Sequence, residues 1–183
     1  MKIEIKNRWN GSIIFSHECA DNTIKLTLLK AIEEGSNLSG SDLSDSNLRG
    51  SNLSGGNLRG SDLRGSNLRG SNLTPIRDDI WSILSSAPKE VPGLISAIKS
   101  GKIDGSTYVG SCACLVGTIA NLRNVDKCAM DGLSPNASRP AERFFMGISE
   151  GDTPETNQFS KLALEWCEDW LNRMKSAFGE NIL

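Results

Sequence analysis

A leucine recurs at every fifth position in the middle of the chain, and the residues between these leucines are almost all polar or glycine. The eight positions are Leu38, Leu43, Leu48, Leu53, Leu58, Leu63, Leu68 and Leu73. Each leucine follows Asn or Asp, which follows Ser or Gly, and Gly usually comes two positions after the leucine. An amphipathic helix needs apolar residues three and four apart, and a half-buried strand needs them two apart. A period of five therefore predicts neither regular element.

The glycines and serines of this segment suggest two simpler structures, and the sequence argues against both. Each glycine would cost a helix interior about 1 kcal/mol relative to alanine. A flexible linker has a similar composition, but a linker does not need leucines in register. We therefore expect an ordered repeat with buried leucines.

The chain before the repeats predicts a β-hairpin and a helix. In the stretch from Lys2 to Ser16, Ile3 and Ile5 alternate with charged residues, Asn10-Gly11 is a predicted turn, and the apolar residues Ile13, Ile14 and Phe15 follow it. This order is a strong signal for a hairpin. Thr23 to Glu34 has apolar residues at helical spacing, with Asp21-Asn22 as the predicted cap and Gly35 as the predicted end. We expect this hairpin and helix to cover one end of the repeats.

The chain after Pro75 predicts helices. Apolar residues recur at helical spacing in five stretches, which are 76–86, 93–100, 111–122, 139–148 and 157–178. In the fourth stretch, Arg139, Glu142 and Arg143 share one face, which indicates an exposed ion-pair network. Asp152 lies in a predicted turn before the last helix, with Thr156 as its predicted cap. Trp166 and Trp170 of that helix are expected in the core.

The repeats resemble those of the pentapeptide-repeat family, whose motif is a small residue, Asp or Asn, Leu and two variable positions. This resemblance implies a right-handed quadrilateral β-helix in which four repeats complete one coil, so that eight repeats make two. The predicted fold class is α+β. The predicted domains are an N-terminal hairpin and capping helix (1–35), the β-helix (36–75) and a C-terminal helical domain (76–183).

Stacking at an interval of twenty residues places four arginines on the outside. They are Arg49, Arg59, Arg64 and Arg69. Arg49 should lie about 5 Å from Arg69, which is the spacing of adjacent strands. Like charges at that distance repel by about 1 kcal/mol in water. Since these outward positions do not contribute to folding, the arginines predict a partner with acidic groups. The alternative is a surface that serves solubility, because arginine stems can also shield the sheet.

Composition and charge exclude some classes of protein. A chain of 183 residues makes one or two domains, and no apolar run is long enough for a membrane-spanning helix. The N-terminus does not have the apolar stretch of a signal peptide, so we expect a cytoplasmic protein without a membrane partner. The net charge of −2 disfavours a nucleic-acid partner without excluding it.

The cysteines are the main candidates for site chemistry. Five cysteines without a secretory signal predict reduced thiols. Cys112 and Cys114, with Cys128 or with the pair His17 and Cys19, offer a zinc site, but their spacing differs from that of structural zinc sites. Cysteines in an apolar helix are more simply buried hydrophobic residues. Since His17 is the only histidine, we predict no catalytic residue, metal or cofactor.

The leading hypothesis is a non-enzymatic protein-interaction module. Three segments also resemble a pentapeptide-repeat protein of tailed phages and prophages; they read IRDDIWSILSSAP, DGSTYVGSCACLVGTIAN and SRPAERFFMGISEGDTP. That resemblance implies a host protein complex, such as an antiviral defence system, as the partner in the host cytoplasm.

Two alternatives to this hypothesis stay open. One is a small enzyme or zinc protein that uses Cys112 and Cys114. The other is DNA mimicry, which the best-known family members use against gyrase, but two coils are short and these carry arginines. For the assembly state of the protein, a homo-oligomer also stays open.

Overall fold

The computed structural model describes residues 1–111, 113–125 and 133–179. These residues form a mixed helix and strand structure with one two-stranded sheet, six α-helices and one 3-10 helix. The chain divides into two compact units, Met1–Ile76 with Ser138–Phe144 and Arg77–Ala137 with Phe145–Leu183. The three-domain division at residues 35 and 75 stays a prediction.

The N-terminal hairpin is confirmed. Strand β1 (Lys2–Lys6) pairs with β2 (Ile13–Glu18) in antiparallel register, with Ile5 opposite Phe15. The turn between them contains Gly11 at φ +70°, a conformation that glycine adopts without steric cost. Ile5 is fully buried and lies beside a bulge that shifts the register.

Helix α1 spans Ile24–Glu33. Its N-cap is Thr23, whose side chain accepts a hydrogen bond from an amide of the first turn, so the predicted cap at Asp21-Asn22 is wrong. Asn22 has another role, because its side chain donates to a carbonyl of β2 and accepts the amide of Thr23. Gly35 follows the helix at φ +68° as predicted.

The leucine repeats form turns and isolated bridges. Within the described residues, no continuous strand is present from 36 to 73, so this segment shows no β-helix built of regular strands. All eight leucines are nonetheless at most 4% exposed, which confirms the prediction that they are buried. The parallel bridges join residues twenty apart, namely Asp42 to Asp62, Asn47 to Asn67 and Asn52 to Asn72. The predicted interval of twenty residues is therefore observed.

The hairpin is bonded to the first repeats. Asn7 forms an antiparallel bridge with Ser41. The amide of Arg8 donates to the carbonyl of Gly40 at 2.9 Å, and the amide of Asp42 donates to the carbonyl of Lys6 at 2.8 Å. These bonds attach the end of β1 to the backbone of the repeats.

Five helices follow the repeats. They are α2 (Thr74–Ser85), α3 (Val91–Lys99), α4 (Leu115–Arg123), α5 (Pro140–Phe145) and α6 (Gln158–Phe178), with a 3-10 helix at Pro88–Glu90. Helix α6 packs through Trp170, which is buried as predicted and donates from Nε1 to Ser85 Oγ at 3.2 Å. Trp166 is only half-buried.

Three of these boundaries differ from the prediction. Helix α4 begins later than residue 111, since Cys114 is extended and caps it through Sγ. Helix α5 ends at Phe145, and Ile148 lies beyond it in a turn, where its amide donates to the carbonyl of Phe145 and its carbonyl accepts the amide of Gly105, each at 2.9 Å. The N-cap of α6 is Asn157 instead of Thr156, because only the Asn157 side chain accepts two first-turn amides.

Candidate interaction surface on the repeats

The Asn or Asp of every repeat holds a turn. In all eight repeats, its Oδ1 accepts the amide hydrogen bond of the residue two positions later, at 3.1–3.3 Å. This side-chain turn is a known preference of Asn and Asp. This role of the recurring Asn or Asp was not predicted from the sequence, although the known preference of these residues accounts for it.

The inward serines satisfy backbone carbonyls inside the repeats. We call residues 36–55 the first layer and residues 56–75 the second layer. Within a layer, Ser46 and Ser51 donate to the leucine carbonyl three positions earlier, each at 2.6 Å. Between layers, Ser61 donates to the carbonyl of Leu38 at 2.9 Å and Ser71 to that of Leu48 at 2.7 Å. A small hydroxyl side chain is therefore needed at this position because it bonds to a buried carbonyl.

Gly56 is the one departure from serine at this inward position, and α1 explains it. A β-carbon at Gly56 would lie 3.2 Å from Cδ1 of Ile32, which is tighter than an ordinary packing contact. The side chain of Ile32 thus fills the space that a serine uses elsewhere.

Backbone hydrogen bonds connect the two layers throughout. Nine of them, at 2.8–3.0 Å, join residues of the first layer to residues of the second. Among them, the amide of Gly40 donates to the carbonyl of Arg59, and the amide of Gly50 donates to that of Arg69. Outward side chains at an interval of twenty residues therefore lie in fixed columns.

The four arginines singled out from the sequence are all exposed. Arg49 and Arg69 occupy the same column, and Lys25 adds a third cation there by donating from Nζ to the carbonyl of Arg49 at 2.7 Å. The guanidinium groups of Arg49, Arg59 and Arg69 form no ion pair with any residue that the structure describes. They are available to a partner.

Arg64 is different because it binds Asp62 within the same repeat. Its Nε lies 2.9 and 3.1 Å from the two carboxylate oxygens, and its Nη2 lies 2.6 Å from Oδ2. Asp62 is 5% exposed and also faces Arg8 and Arg143, each at 3.7 Å. The expectation that none of the four arginines contributes to folding is therefore wrong for Arg64, which neutralises a buried carboxylate.

The surroundings of Asp62 lower its pKa. Burial opposes ionisation, but the hydrogen bonds and the charge of Arg64, with the charge of Arg8, outweigh burial and bring the pKa of Asp62 below its usual value. The same pairing raises the pKa of Arg64.

A comparison with family models identifies the repeats. Residues 34–74 match the model of pentapeptide repeats, in eight copies. The match covers less than a quarter of the chain. No curated protein and no solved structure matches the chain. Among the described residues, no helix is both long enough and apolar enough to cross a membrane.

The predicted exposed network on α5 is wrong. Glu142 is 2% exposed and Arg143 is 7% exposed. Arg143 is buried because it turns toward the pentapeptide repeats, where its Nε donates to the carbonyl of Ser61 at 3.5 Å and its Nη2 approaches Asp62. A polar pattern that resembled a solvated face is thus part of the packing around the repeats.

The cysteines outside the pentapeptide repeats include two buried thiols. Cys114 is 1% exposed, as predicted, and Cys167 is fully buried. Burial and the charge of Glu168 raise the pKa of Cys167 to about 12, so its thiol is neutral at physiological pH. Cys112 and Cys128 lie outside the described residues. In the part of the chain that is described, no group of three or more His, Cys, Asp or Glu residues is placed to hold a metal ion.

A polar pocket of about 300 Å³ lies between α3 and α4. Its polar lining includes Ser96, Lys102, Thr118 and Asn121, and among the described residues no acidic residue, His or Cys lines it. The side chains of Thr118 and Asn121 donate to backbone carbonyls.

Proposed function

We propose that this protein is a non-enzymatic protein-interaction module whose pentapeptide repeats form a short two-coil quadrilateral β-helix and present arginines to an acidic partner protein. Each turn of the coil consists of four repeats held by side-chain turns, with single bridges in place of strands. The support is the interval of twenty residues in the bridges and in the nine interlayer hydrogen bonds, together with the buried leucines.

The main support for the proposal is that Arg49, Arg59 and Arg69 are exposed and form no ion pair with any described residue. Their backbones are fixed by the interlayer bonds, while their exposed guanidinium groups pair with no described acid. Arginine binds carboxylates in a bidentate manner and is enriched where proteins bind each other. A rigid frame that holds each of these groups in place lowers the entropic cost of binding acidic groups of a partner.

The identity of the partner is also a proposal, and its support is the resemblance to phage proteins. The partner we propose is a host protein complex, such as an antiviral defence system, with an acidic surface. Duplex DNA mimicry fits the surface less well, because that function needs a long row of acidic side chains and this surface carries cations.

The proposal is tested by titrating the protein with fluorescein-labelled poly-L-glutamate and following its anisotropy. The wild-type protein should bind, and its affinity should fall as salt is added, since salt screens exposed charges. A variant with Arg49→Ser, Arg59→Ser and Arg69→Ser should fold normally and bind at least about tenfold more weakly.

The matched control removes three exposed lysines elsewhere, with Lys89→Ser, Lys102→Ser and Lys161→Ser. Both variants have the same net charge, so only the position of the lost charges differs. Equal losses in the two variants would show non-specific attraction and overturn the proposal. Tighter binding to duplex DNA than to poly-L-glutamate would overturn it in favour of nucleic acid.

A further inference from the structure

Trp9 is a large apolar side chain held on the outside of the protein. It lies in the turn of the N-terminal hairpin and remains 64% exposed. Tryptophan is the residue type most enriched at binding hot spots, and an indole left in water does not gain the free energy of burial. An exposed, fixed tryptophan is therefore a candidate anchor for a partner.

The indole is fixed by the pentapeptide repeats. Its ring lies over Gly40 and Gly60, which stack in successive layers at φ +73° and +72°. A β-carbon at Gly40 would collide with Cζ3 of Trp9, and one at Gly60 would lie 3.1 Å from Cη2. The column of two glycines thus forms a flat seat for one edge of the ring.

The backbone around Trp9 is also fixed. Its amide donates to Asn7 Oδ1 at 2.9 Å, and the amide of the neighbouring Arg8 donates to the carbonyl of Gly40 at 2.9 Å. A side chain held in place before binding loses little conformational freedom on binding.

A positively charged group lies close to the indole. The guanidinium carbon of Arg8 lies 5.4 Å from the ring centre. Arg59 directly precedes Gly60, is exposed, and pairs with no acidic residue in the described part of the chain. The buried Asp62 is already neutralised by Arg8, Arg64 and Arg143.

We propose that Trp9 and Arg59 form an anchor site for an acidic segment of a partner protein, in which an aromatic or aliphatic side chain packs on the indole and a neighbouring carboxylate pairs with Arg59. This inference rests on the proposed function and names the residue that supplies its apolar contact. The single indole and the few nearby cations fit a peptide segment better than single-stranded nucleic acid, which needs several stacking rings along a basic groove.

The test compares two probes that differ only in an apolar group. One is labelled poly-L-glutamate, and the other is a glutamate-rich peptide of the same length with one central phenylalanine. Trp9→Ala should weaken binding of the phenylalanine peptide about tenfold and change poly-L-glutamate binding less than about twofold. Arg59→Ser should weaken both. Phe178→Ala, which removes an equally exposed aromatic residue elsewhere, should change neither.

A measurement on the unaltered protein keeps the test valid if Trp9→Ala folds poorly. The indole Nε1–H signal of Trp9, assigned with Trp9→Phe, should shift on addition of the phenylalanine peptide and less with poly-L-glutamate. An unshifted signal, or tighter binding of oligo-dT than of the peptide, would overturn the inference. So would concentration-dependent dimerisation abolished by Trp9→Ala, which would identify a second copy of the chain as the occupant.

The two proposals fail in different ways. If the wild-type protein does not bind poly-L-glutamate, the arginine surface fails. If poly-L-glutamate binds as expected and the Trp9→Ala variant binds the phenylalanine peptide as well as wild type does, only the anchor site fails.

Discussion

Asp42 and Asp62 occupy equivalent positions in successive layers, and their surroundings are opposite. Both carboxylates hold the turn of their repeat. Asp42 is exposed, whereas Asp62 is buried among Arg8, Arg64 and Arg143. Asn performs the turn function equally well in the other repeats, so the repeat alone does not require an acid. The negative charge of Asp62 compensates the positive charges of these three arginines, which come from three different parts of the chain.

Replacing Asp62 with Asn should destabilise the protein in a way that depends on pH. Because the pKa of Asp62 is lowered in the folded state, the carboxylate contributes its full stabilisation above the unfolded value near 4 and loses it as the pH falls through the lower folded value. Asp62→Asn should cost about 3 kcal/mol at pH 7.

Urea unfolding of wild type and Asp62→Asn between pH 2 and pH 7 measures this difference. The two stabilities should converge only below about pH 4. Asp42→Asn is the control and should cost about 0.5 kcal/mol or less at pH 7, since Asp42 is exposed. Parallel curves for wild type and Asp62→Asn would contradict the assignment.

Two glycine substitutions separate the energetic contribution of the contact between Trp9 and Gly40 from the cost of the left-handed backbone conformation. Gly40 and Gly70 have nearly the same φ, +73° and +70°, but only Gly40 has Trp9 against it. Gly70→Ala should cost about 1 kcal/mol for the left-handed conformation. Gly40→Ala should cost at least about 1 kcal/mol more, because Trp9 must move. Equal unfolding free energies for the two variants would show that Trp9 is not seated there.

The repeat segment is the structural element whose packing was best predicted from the sequence. The period of five predicted that the leucines are buried, and the resemblance to the pentapeptide-repeat family implied the interval of twenty that pairs the layers. Regular strands did not follow from the repeat. Each side-chain turn interrupts the backbone after two or three residues, and this leaves single bridges.

Leu58→Ala tests the packing between layers. Leu58 is 3% exposed, so its truncation should lower the free energy of unfolding by about 2–5 kcal/mol. Leu26→Ala is a suitable control, because Leu26 is 45% exposed on α1 and should cost about 0.5 kcal/mol or less. Denaturant unfolding followed by circular dichroism gives both values. A Leu58→Ala variant as stable as wild type would contradict the packing of the repeats.

The thiols of Cys114, at the start of α4, and Cys167, in α6, should be protected from alkylation because both are buried. Cys114 caps α4 and Cys167 is buried in α6 with a pKa of about 12, whereas Cys19 is only half-buried. Among these three thiols, an alkylating reagent at pH 8 should modify Cys19 before the other two and should reach Cys114 and Cys167 only when the protein opens. Peptide mass spectrometry follows each site separately. Rapid modification of Cys167 in the folded protein would contradict its burial.

At the scale of the whole molecule, long-range contacts are the part that the sequence could not predict. The burial of Glu142 and Arg143 was missed because their spacing on α5 is that of a solvated helix face. The packing of Trp9 on Gly40 and Gly60 was missed because these glycines are more than thirty residues away and no local sequence pattern predicts the contact. The exposure of the candidate arginines was predictable, since it follows from their outward position in the repeat.

The proposed function is that acidic groups of a partner bind the exposed Arg49, Arg59 and Arg69, with Trp9 as an apolar contact next to Arg59. The most direct test is an NMR titration of ¹⁵N-labelled protein with the glutamate-rich phenylalanine peptide, which follows backbone amides, arginine Nε–H groups and tryptophan indoles together. The largest shifts should occur at the side chains of Arg49, Arg59, Arg69 and Trp9 and at the backbone amides next to them. Shifts confined to the pocket between α3 and α4, or spread evenly over exposed lysines, would contradict it.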